Sequence, residues 1–88
     1  MRVRYQKVFL KELASIPPNL RARIEQFVFD EMPRAESLEQ TGKAERMKGY
    51  PGFYKARFGD YRIGMRMEGD SVILERVLHR KDIYRKFP

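Results

Sequence analysis

Basic side chains at alternating positions of two neighbouring segments are the chemically most informative feature of this sequence. Lys55 and Arg57 lie in one segment, and Arg62 and Arg66 lie in the next. Because alternate residues of a strand share one face, these four cations are expected on the same side of a sheet. Four further candidates follow the last apolar run: His79, Arg80, Lys81 and Tyr84. Several cations around an aromatic ring are suited to contact with phosphates and bases.

The same pattern has a simpler explanation, in which long basic side chains keep one face of an antiparallel sheet in contact with water. That explanation is adequate for any one of these residues taken alone. The complete set on a single face favours a functional surface.

Net charge points in the same direction. The chain of 88 residues carries 19 Lys and Arg against 12 Asp and Glu, a formal net charge of +7. Residues 46–88 hold 11 of the basic and only 5 of the acidic side chains. Positive charge concentrated in one half of a chain indicates a polyanion, most often nucleic acid, or an acidic protein partner. A solvated basic surface without a partner is the remaining alternative.

Composition excludes several classes of protein. The sequence has no cysteine, which excludes a disulfide scaffold, a zinc ribbon and a thiol nucleophile. A single histidine, His79, cannot by itself form a histidine-based metal site, and we expect no cofactor. No apolar run approaches the roughly 18 residues of a membrane span. The start of the chain also shows no signal-peptide core, so we expect a single, soluble, cytoplasmic domain over residues 1–88.

The first half of the chain predicts one strand and two helices. Val3 and Tyr5 alternate with arginines, as in a short strand. A first helix is predicted from the spacing of Phe9, Leu13 and Ile16, and Pro17 ends it. A second helix begins at Pro18 and runs to about Met32, with an apolar stripe formed by Leu20, Ile24, Phe27 and Val28. Residues 34–52 are polar, with one helical turn predicted around 36–40.

The second half predicts three strands, 53–58, 61–67 and 72–78, separated by the turn pairs Gly59-Asp60 and Gly69-Asp70. Tyr54, Ala56 and Phe58 are the better core set of the first strand, which leaves Lys55 and Arg57 on the outer face. The order β-α-α-β-β-β predicts an α+β fold, in which a helical hairpin packs on a sheet of about four strands ending in an antiparallel meander. The place of the first strand in the sheet is left open.

Two motifs resemble those of the RelE/ParE toxin superfamily of bacterial and archaeal toxin–antitoxin systems. One is the Gly-Asp-Tyr-Arg hairpin at 59–62, within the similar run 49–63. The other is the ending His-Arg-x-x-Ile-Tyr at 79–84. Chain length and element order agree as well, so the resemblance covers nearly the whole chain.

The resemblance implies a metal-independent endoribonuclease that cleaves mRNA, typically in the ribosomal A site, and that an antitoxin neutralises. The family's active-site positions correspond here to Lys55, Arg57, Arg62, Arg80 and Tyr84. One position departs from the best-known RelE pattern, which has a second lysine where this chain has Arg57.

The chemistry of RNA cleavage predicts a role for each of these residues on independent grounds. Attack by the 2′-hydroxyl needs a base, cations for the phosphorane and an acid for the 5′-oxygen. Arg62 and Arg80 suit charge stabilisation, and Arg57 suits phosphate binding. Lys55 is the preferred base because neighbouring arginines would lower its pKa from about 10.4. His79, of ordinary pKa about 6.5, is the second choice, although adjacent strand residues point in opposite directions and His79 and Arg80 would then not share the site.

Tyr84 would position the substrate or donate a proton, or else anchor the C-terminus. Lys48, Arg66 and Lys81 are predicted RNA contacts. Two other functions remain open: a ParE-like inhibitor of DNA gyrase without nuclease activity, and a non-catalytic RNA-binding module. The expected protein partner is an antitoxin with an acidic or amphipathic segment that wraps the toxin, with Arg21 and Arg23 as candidate contacts. Exposed methionines and phenylalanines would in addition favour homo-oligomers of the free chain.

Overall fold

The computed structural model of the chain describes residues 1–88 and contains one mixed sheet of five strands. In chain order the strands are β1 (Arg2–Tyr5), β2 (Ala44–Arg46), β3 (Phe53–Phe58), β4 (Tyr61–Glu68) and β5 (Ser71–His79). The α-helices are α1 (Lys7–Leu13), α2 (Pro18–Glu25), α3 (Met32–Arg34) and α4 (Arg80–Lys86). None of the helices has the length and apolar character needed to cross a bilayer.

The sheet order is β1-β5-β4-β3-β2, with β1 parallel to β5 and every other pair antiparallel. The predicted α+β class and the antiparallel meander of β3, β4 and β5 are confirmed. The prediction of about four strands is one too few, because β2 was not recognised. Its three residues, Ala-Glu-Arg, are exposed or half-buried and pair only with β3, so they carry no apolar alternation.

The second helix is longer than predicted because its axis continues through a proline. A π-helical turn, Gln26–Glu31, follows α2 and leads directly into α3, which contains Pro33. A proline inside an α-helix loses a hydrogen bond and its ring strikes the carbonyl four residues earlier. The wider π turn shifts that carbonyl, which explains why the helix ends at Arg34 and not at Met32. The hydroxyl of Tyr5 donates to the Val28 carbonyl of this turn at 2.6 Å.

A core of 16 buried residues lies between the sheet and the helices that precede β2. The predicted stripes supply it: Phe9, Leu13 and Ile16 come from the first helical segment, and Ile24, Phe27 and Val28 come from the second. Ile16 lies beyond the end of α1 but is still buried. The predicted helical turn at 36–40 is observed as a 3₁₀ turn at Glu39–Thr41.

The other face of the sheet is partly covered by a C-terminal helix, which was not predicted from the sequence. Helix α4 follows β5 and packs on this face, where Ile83 and Phe87 are buried outside the main core. Beneath Phe87 lies Gly64 of β4, which is itself buried. The basic residues of β3 and β4 therefore share this face with a C-terminal helix.

A carboxylate closes the edge of β5 at the point where β1 ends. The β1–β5 pairing stops at Tyr5 and Leu74, so the following residues of β5 have a free edge. Glu12 of α1 accepts a hydrogen bond from the Val77 backbone N–H at 3.1 Å and binds the Arg76 guanidinium through both oxygens. The hydrogen bonds with Glu12 raise the pKa of the Arg76 guanidinium above its ordinary value. Glu12 thus replaces the missing strand with side-chain hydrogen bonds.

Candidate nucleic-acid interface and active site

The β3–β4 hairpin places two arginines opposite each other. Arg57 and Arg62 are direct cross-strand partners, joined by the Gly59-Asp60 turn. Gly59 has a φ of 57°, a left-handed conformation that a two-residue hairpin turn requires and that glycine adopts without steric cost. The Arg62 guanidinium donates to the Gly59 carbonyl at 2.8 Å and to the Tyr61 carbonyl at 3.0 Å. The turn therefore fixes Arg62 through the backbone and leaves Arg57 exposed.

Lys55 and Tyr84 form the contact that joins β3 to the C-terminal helix. The Lys55 Nζ donates to the Tyr84 hydroxyl at 3.4 Å and lies 5.5 Å from the centroid of the Tyr84 ring. Lys55 is half-buried, whereas Tyr84 has 55% of its surface exposed. Most of the aromatic ring is therefore free to stack on a base while its hydroxyl stays beside the amine.

Arg80 reaches the same end of the sheet from the start of α4. Its backbone N–H donates to the Asp60 carbonyl at 2.7 Å, and its Nε lies 3.8 Å from the Asp60 carboxylate. Arg80 was expected at the end of the last strand, but it is the first residue of α4. Arg62 and Arg80 therefore both bind the Gly59-Asp60 turn, Arg62 through the Gly59 carbonyl and Arg80 through Asp60.

His79 lies apart from this group. It pairs across the sheet with Tyr61, and the two rings meet edge to face at 5.6 Å on the side that faces the main core. Its Nδ1 accepts a hydrogen bond from the Lys81 backbone N–H at 3.1 Å and thereby caps α4. Because His79 and Arg62 point to opposite faces, the structure does not bring this histidine to the Lys55–Tyr84 pair.

Arg66 is on the predicted face but is engaged by carboxylates. It binds Glu75 at 2.5 Å and Glu68 at 2.9 Å, and Arg4 also pairs with Glu68. Hydrogen bonds with Glu68 and Glu75 raise the pKa of Arg66, and the bonds from Arg66 and Arg4 lower the pKa of Glu68. The carboxylates of Glu68 and Glu75 thus offset the charge of Arg66, whereas Arg57 is exposed and has no such ion pair.

The two predicted lysine contacts lie at opposite ends of the face. Lys48 is exposed in the loop between β2 and β3, at the end of β3 remote from the Gly59-Asp60 turn. Lys81 is exposed in the first turn of α4, beside Arg80. Lys81 thus follows Arg80 directly on α4, whereas Lys48 lies at the other end of β3.

Three residues that contact Arg80 or the end of α4 were given no site role from the sequence: Asp60, Gly64 and Phe87. The available signal was the apolar spacing of Ile83 and Phe87, four residues apart, which marks one face of a C-terminal helix. No group of three or more His, Cys, Asp or Glu is arranged to hold a metal ion.

The electrostatics of the site favour an anion. Like charges directly opposite each other on a sheet are unfavourable, and Arg57 and Arg62 are such a pair. Lys55 lies two residues from Arg57 on the same face, and Asp60 is the only carboxylate among the group's ion pairs. A phosphate that enters between these cations relieves their repulsion, and arginine forks match its oxygens.

Comparison with known proteins finds relatives that match nearly the whole chain. The family model described as ParE toxin of type II toxin–antitoxin system, parDE, matches residues 3–84. Toxin RelE3 of Methanocaldococcus jannaschii is 40% identical over 89 residues, which covers 100% of both chains. Toxin RelG of Mycobacterium tuberculosis is 35% identical over 96% of this chain and 95% of its own. The RelB–RelE antitoxin–toxin complex from Methanococcus jannaschii contains a chain that aligns with a TM-score of 0.79 and 38% identity, covering 97% of this chain and 99% of that chain.

Fold, site and relatives together define the toxin component of a toxin–antitoxin system. The chain belongs to the RelE/ParE superfamily of type II toxins, as its hairpin and C-terminal motifs predicted. The family model carries the ParE description, whereas both of these relatives and the structural match are RelE-type proteins.

Proposed function

We propose that this toxin is a metal-independent endoribonuclease that cleaves mRNA in the ribosomal A site and so inhibits translation. The observation that carries the proposal is the contact between Lys55 and Tyr84, beside the arginines of the Gly59-Asp60 turn. A gyrase inhibitor needs a binding surface only. A half-buried amine held against an exposed phenol, with guanidinium groups nearby, is the arrangement that a phosphoryl transfer reaction needs.

The proposed reaction uses only groups of the protein and the RNA. Lys55 acts as the base that takes the proton of the 2′-hydroxyl, whose oxygen attacks the adjacent phosphorus. The bond from phosphorus to the 5′-oxygen breaks and leaves a 2′,3′-cyclic phosphate, and the departing oxygen takes a proton supplied through Tyr84. Arg62 and Arg80 hold the negative charge that develops on the non-bridging oxygens. Arg57 binds the phosphate, and Lys81 and Lys48 contact the flanking backbone.

We further propose that an acidic or amphipathic antitoxin segment neutralises the toxin. One structural relative was solved as a RelB–RelE antitoxin–toxin complex, and the net charge of +7 makes an acidic partner favourable. Arg23 is exposed and lies 5.8 Å from the ring centroid of Phe58. Arg21 is half-buried and donates to the Ala14 carbonyl, so Arg23 is the better of the two predicted contacts.

The alternative is inhibition of DNA gyrase, favoured by the ParE description of the matching family model. Toe-printing of a translated mRNA with purified protein separates the two functions. The variants Arg62→Ala and Tyr84→Ala remove proposed catalytic residues. Arg85→Ala is the matched control, because Arg85 lies on the same helix but pairs with Asp82 outside the site. EDTA-treated naked RNA is tested in parallel.

The nuclease proposal expects new A-site cuts in the translated mRNA. These cuts are lost by a factor of about 10² or more in both site variants and kept in Arg85→Ala. Cuts on naked RNA would mean that the ribosome is dispensable. A protein that still arrests growth without cutting any RNA, and that inhibits gyrase supercoiling, would overturn the nuclease proposal.

A further inference from the structure

The middle of β4 contains a socket for the last aromatic residue of the chain. The Phe87 ring lies directly over Gly64, so that a Cβ atom on Gly64 would lie 2.6 Å from the ring carbons Cγ and Cδ2. The Phe53 ring meets Phe87 in an edge-to-face arrangement at 5.7 Å between centroids. We call the Gly64 backbone and the Phe53 ring the Gly64 socket. Only glycine at this strand position permits the approach.

Three contacts along α4 determine where the helix lies on the sheet. Its first residue, Arg80, donates its N–H to the Asp60 carbonyl. In its middle Ile83 is 2% exposed, and just beyond its end Phe87 is 4% exposed. Tyr84 has no comparable burial, since more than half of it is exposed and its polar and cation–π contacts are with Lys55. The position of Tyr84 is therefore set by the docking of the helix that carries it.

From this geometry we infer that Gly64 and Phe87 are positioning residues of the active site: the Gly64 socket fixes the end of α4 and thereby holds Tyr84 against Lys55. The inference rests on the proposed nuclease function. Gly64 and Phe87 do not touch the substrate in the proposed reaction. A seven-residue helix is too short to be stable alone, so tertiary contacts must supply its order. Loss of the ring or of the space beneath it releases the end of the helix nearest to Tyr84.

The test combines cleavage kinetics with an NMR signature of the Lys55–Tyr84 contact. A ring beside the Lys55 amine displaces the resonances of the adjacent methylene, and Tyr84→Ala gives the undisplaced reference. Phe87→Ala removes the anchor, Gly64→Ala fills the socket, and Phe87→Leu is the conservative variant. Val28→Ala is the control, because it also truncates a buried side chain but does so in the main core on the other face of the sheet.

We expect Phe87→Ala and Gly64→Ala to move the Lys55 signal towards the Tyr84→Ala reference. At saturating RNA the same variants should lose about 10-fold to 10²-fold in cleavage rate, with little change in KM, because catalytic geometry and not binding is lost. Phe87→Leu should retain an intermediate rate and an intermediate shift. Val28→Ala should lower the melting temperature and change neither the signal nor the rate of the folded protein.

An unchanged Lys55 signal and rate in folded Phe87→Ala would overturn the inference and leave the nuclease proposal intact. If Gly64→Ala fails to fold, the two Phe87 variants decide, because they add no atoms to the structure. A wild-type protein that cleaves no RNA would overturn the nuclease proposal. In that case the NMR signal alone decides whether the socket places Tyr84 against Lys55.

Discussion

The amine of Lys55 and the hydroxyl of Tyr84 are 3.4 Å apart, although 29 residues separate them in the chain. The contact spans the gap between the first strand of the meander and the helix that follows the last one. It joins the amine of Lys55 to a phenol whose ring remains available to stack on a nucleotide base. The two properties of Tyr84, its ring and its hydroxyl, can be tested separately.

Tyr84→Phe keeps the ring and removes the hydroxyl beside Lys55. We expect RNA affinity close to that of the wild type, because stacking needs only the ring. The single-turnover cleavage rate should fall by a factor of order 10², because the hydroxyl orients Lys55 and supplies the proton. Rapid-quench kinetics with a labelled RNA measure both quantities. If the variant cleaves at the wild-type rate, the Tyr84 hydroxyl has no catalytic role and the residue acts only by stacking.

Arg57→Ala removes one member of the facing arginine pair. We expect an equal or higher melting temperature, since the repulsion between Arg57 and Arg62 disappears. RNA affinity should fall, and its dependence on salt should weaken by about one unit of slope in a plot of log K against log salt. Fluorescence anisotropy at several salt concentrations checks this, with Arg85→Ala as the comparison. An unchanged slope would show that Arg57 contacts no phosphate.

Asp60→Asn removes the carboxylate near the Arg80 guanidinium and keeps the backbone carbonyl that binds the Arg80 N–H. Because the ion pair is exposed at both partners, the melting temperature should shift by less than about 4 °C. We expect tighter RNA binding, because Asp60 no longer competes with phosphate for Arg80. If binding weakens as far as it does in Arg80→Ala, the carboxylate instead orients the arginine for its substrate.

Glu12→Ala should be strongly destabilising without touching the site. The carboxylate is mostly buried and binds both the Arg76 guanidinium and the Val77 N–H. Its removal leaves both donors without their partner at the β5 edge, at a cost of about 2–3 kcal/mol. Urea denaturation measures the loss. Asp30→Ala, which breaks the exposed pair with Arg34, is the control and should cost less than about 0.5 kcal/mol. Equal losses in the two variants would contradict the edge-closing role of Glu12.

Tyr5→Phe tests the bond between β1 and the π-helical turn. The Tyr5 hydroxyl donates to the Val28 carbonyl, and its loss should cost about 1 kcal/mol at neutral pH. Burial raises the pKa of Tyr5 in the folded protein above its ordinary value of about 10. The stabilisation by Tyr5 is therefore complete below pH of about 10 and is lost as the pH rises through the folded-state pKa.

The difference in unfolding free energy between the wild type and Tyr5→Phe should accordingly shrink in alkaline solution. Chemical denaturation at neutral pH and above pH of about 11 measures that difference. A gap that is constant across this range would show that Tyr5 does not ionise with loss of the bond.

The sequence was most informative where one residue pattern determines one structure. Alternation along 61–67 and the Gly59-Asp60 pair predicted the hairpin and the outward direction of Arg62, and both are observed. The two core helices followed from their apolar stripes. The sequence could therefore predict that Lys55, Arg57 and Arg62 share one face, because their positions depend only on alternation along two strands and on the turn between them.

Features that depend on distant residues were not predictable in this way. Strand β2 is recognisable only through its pairing with β3, and α4 owes its place to Gly64 and Asp60 rather than to its own composition. The carboxylates that engage Arg66 come from two different strands, and only one of them, Glu68, is near it in sequence. The parallel pairing of β1 with β5 joins residues about 70 positions apart, and local propensity cannot predict a pairing of that kind.

That pairing also has a consequence for how the toxin is made. Strand β1 is synthesised first, yet its partner β5 begins at Ser71, so the N-terminal strand has no place in the sheet until most of the chain exists. The proposed active site is drawn from residues 55–84 and depends on Phe87 at the end. A nascent chain that has not yet reached Phe87 therefore has neither a finished sheet nor the assembled site that we propose.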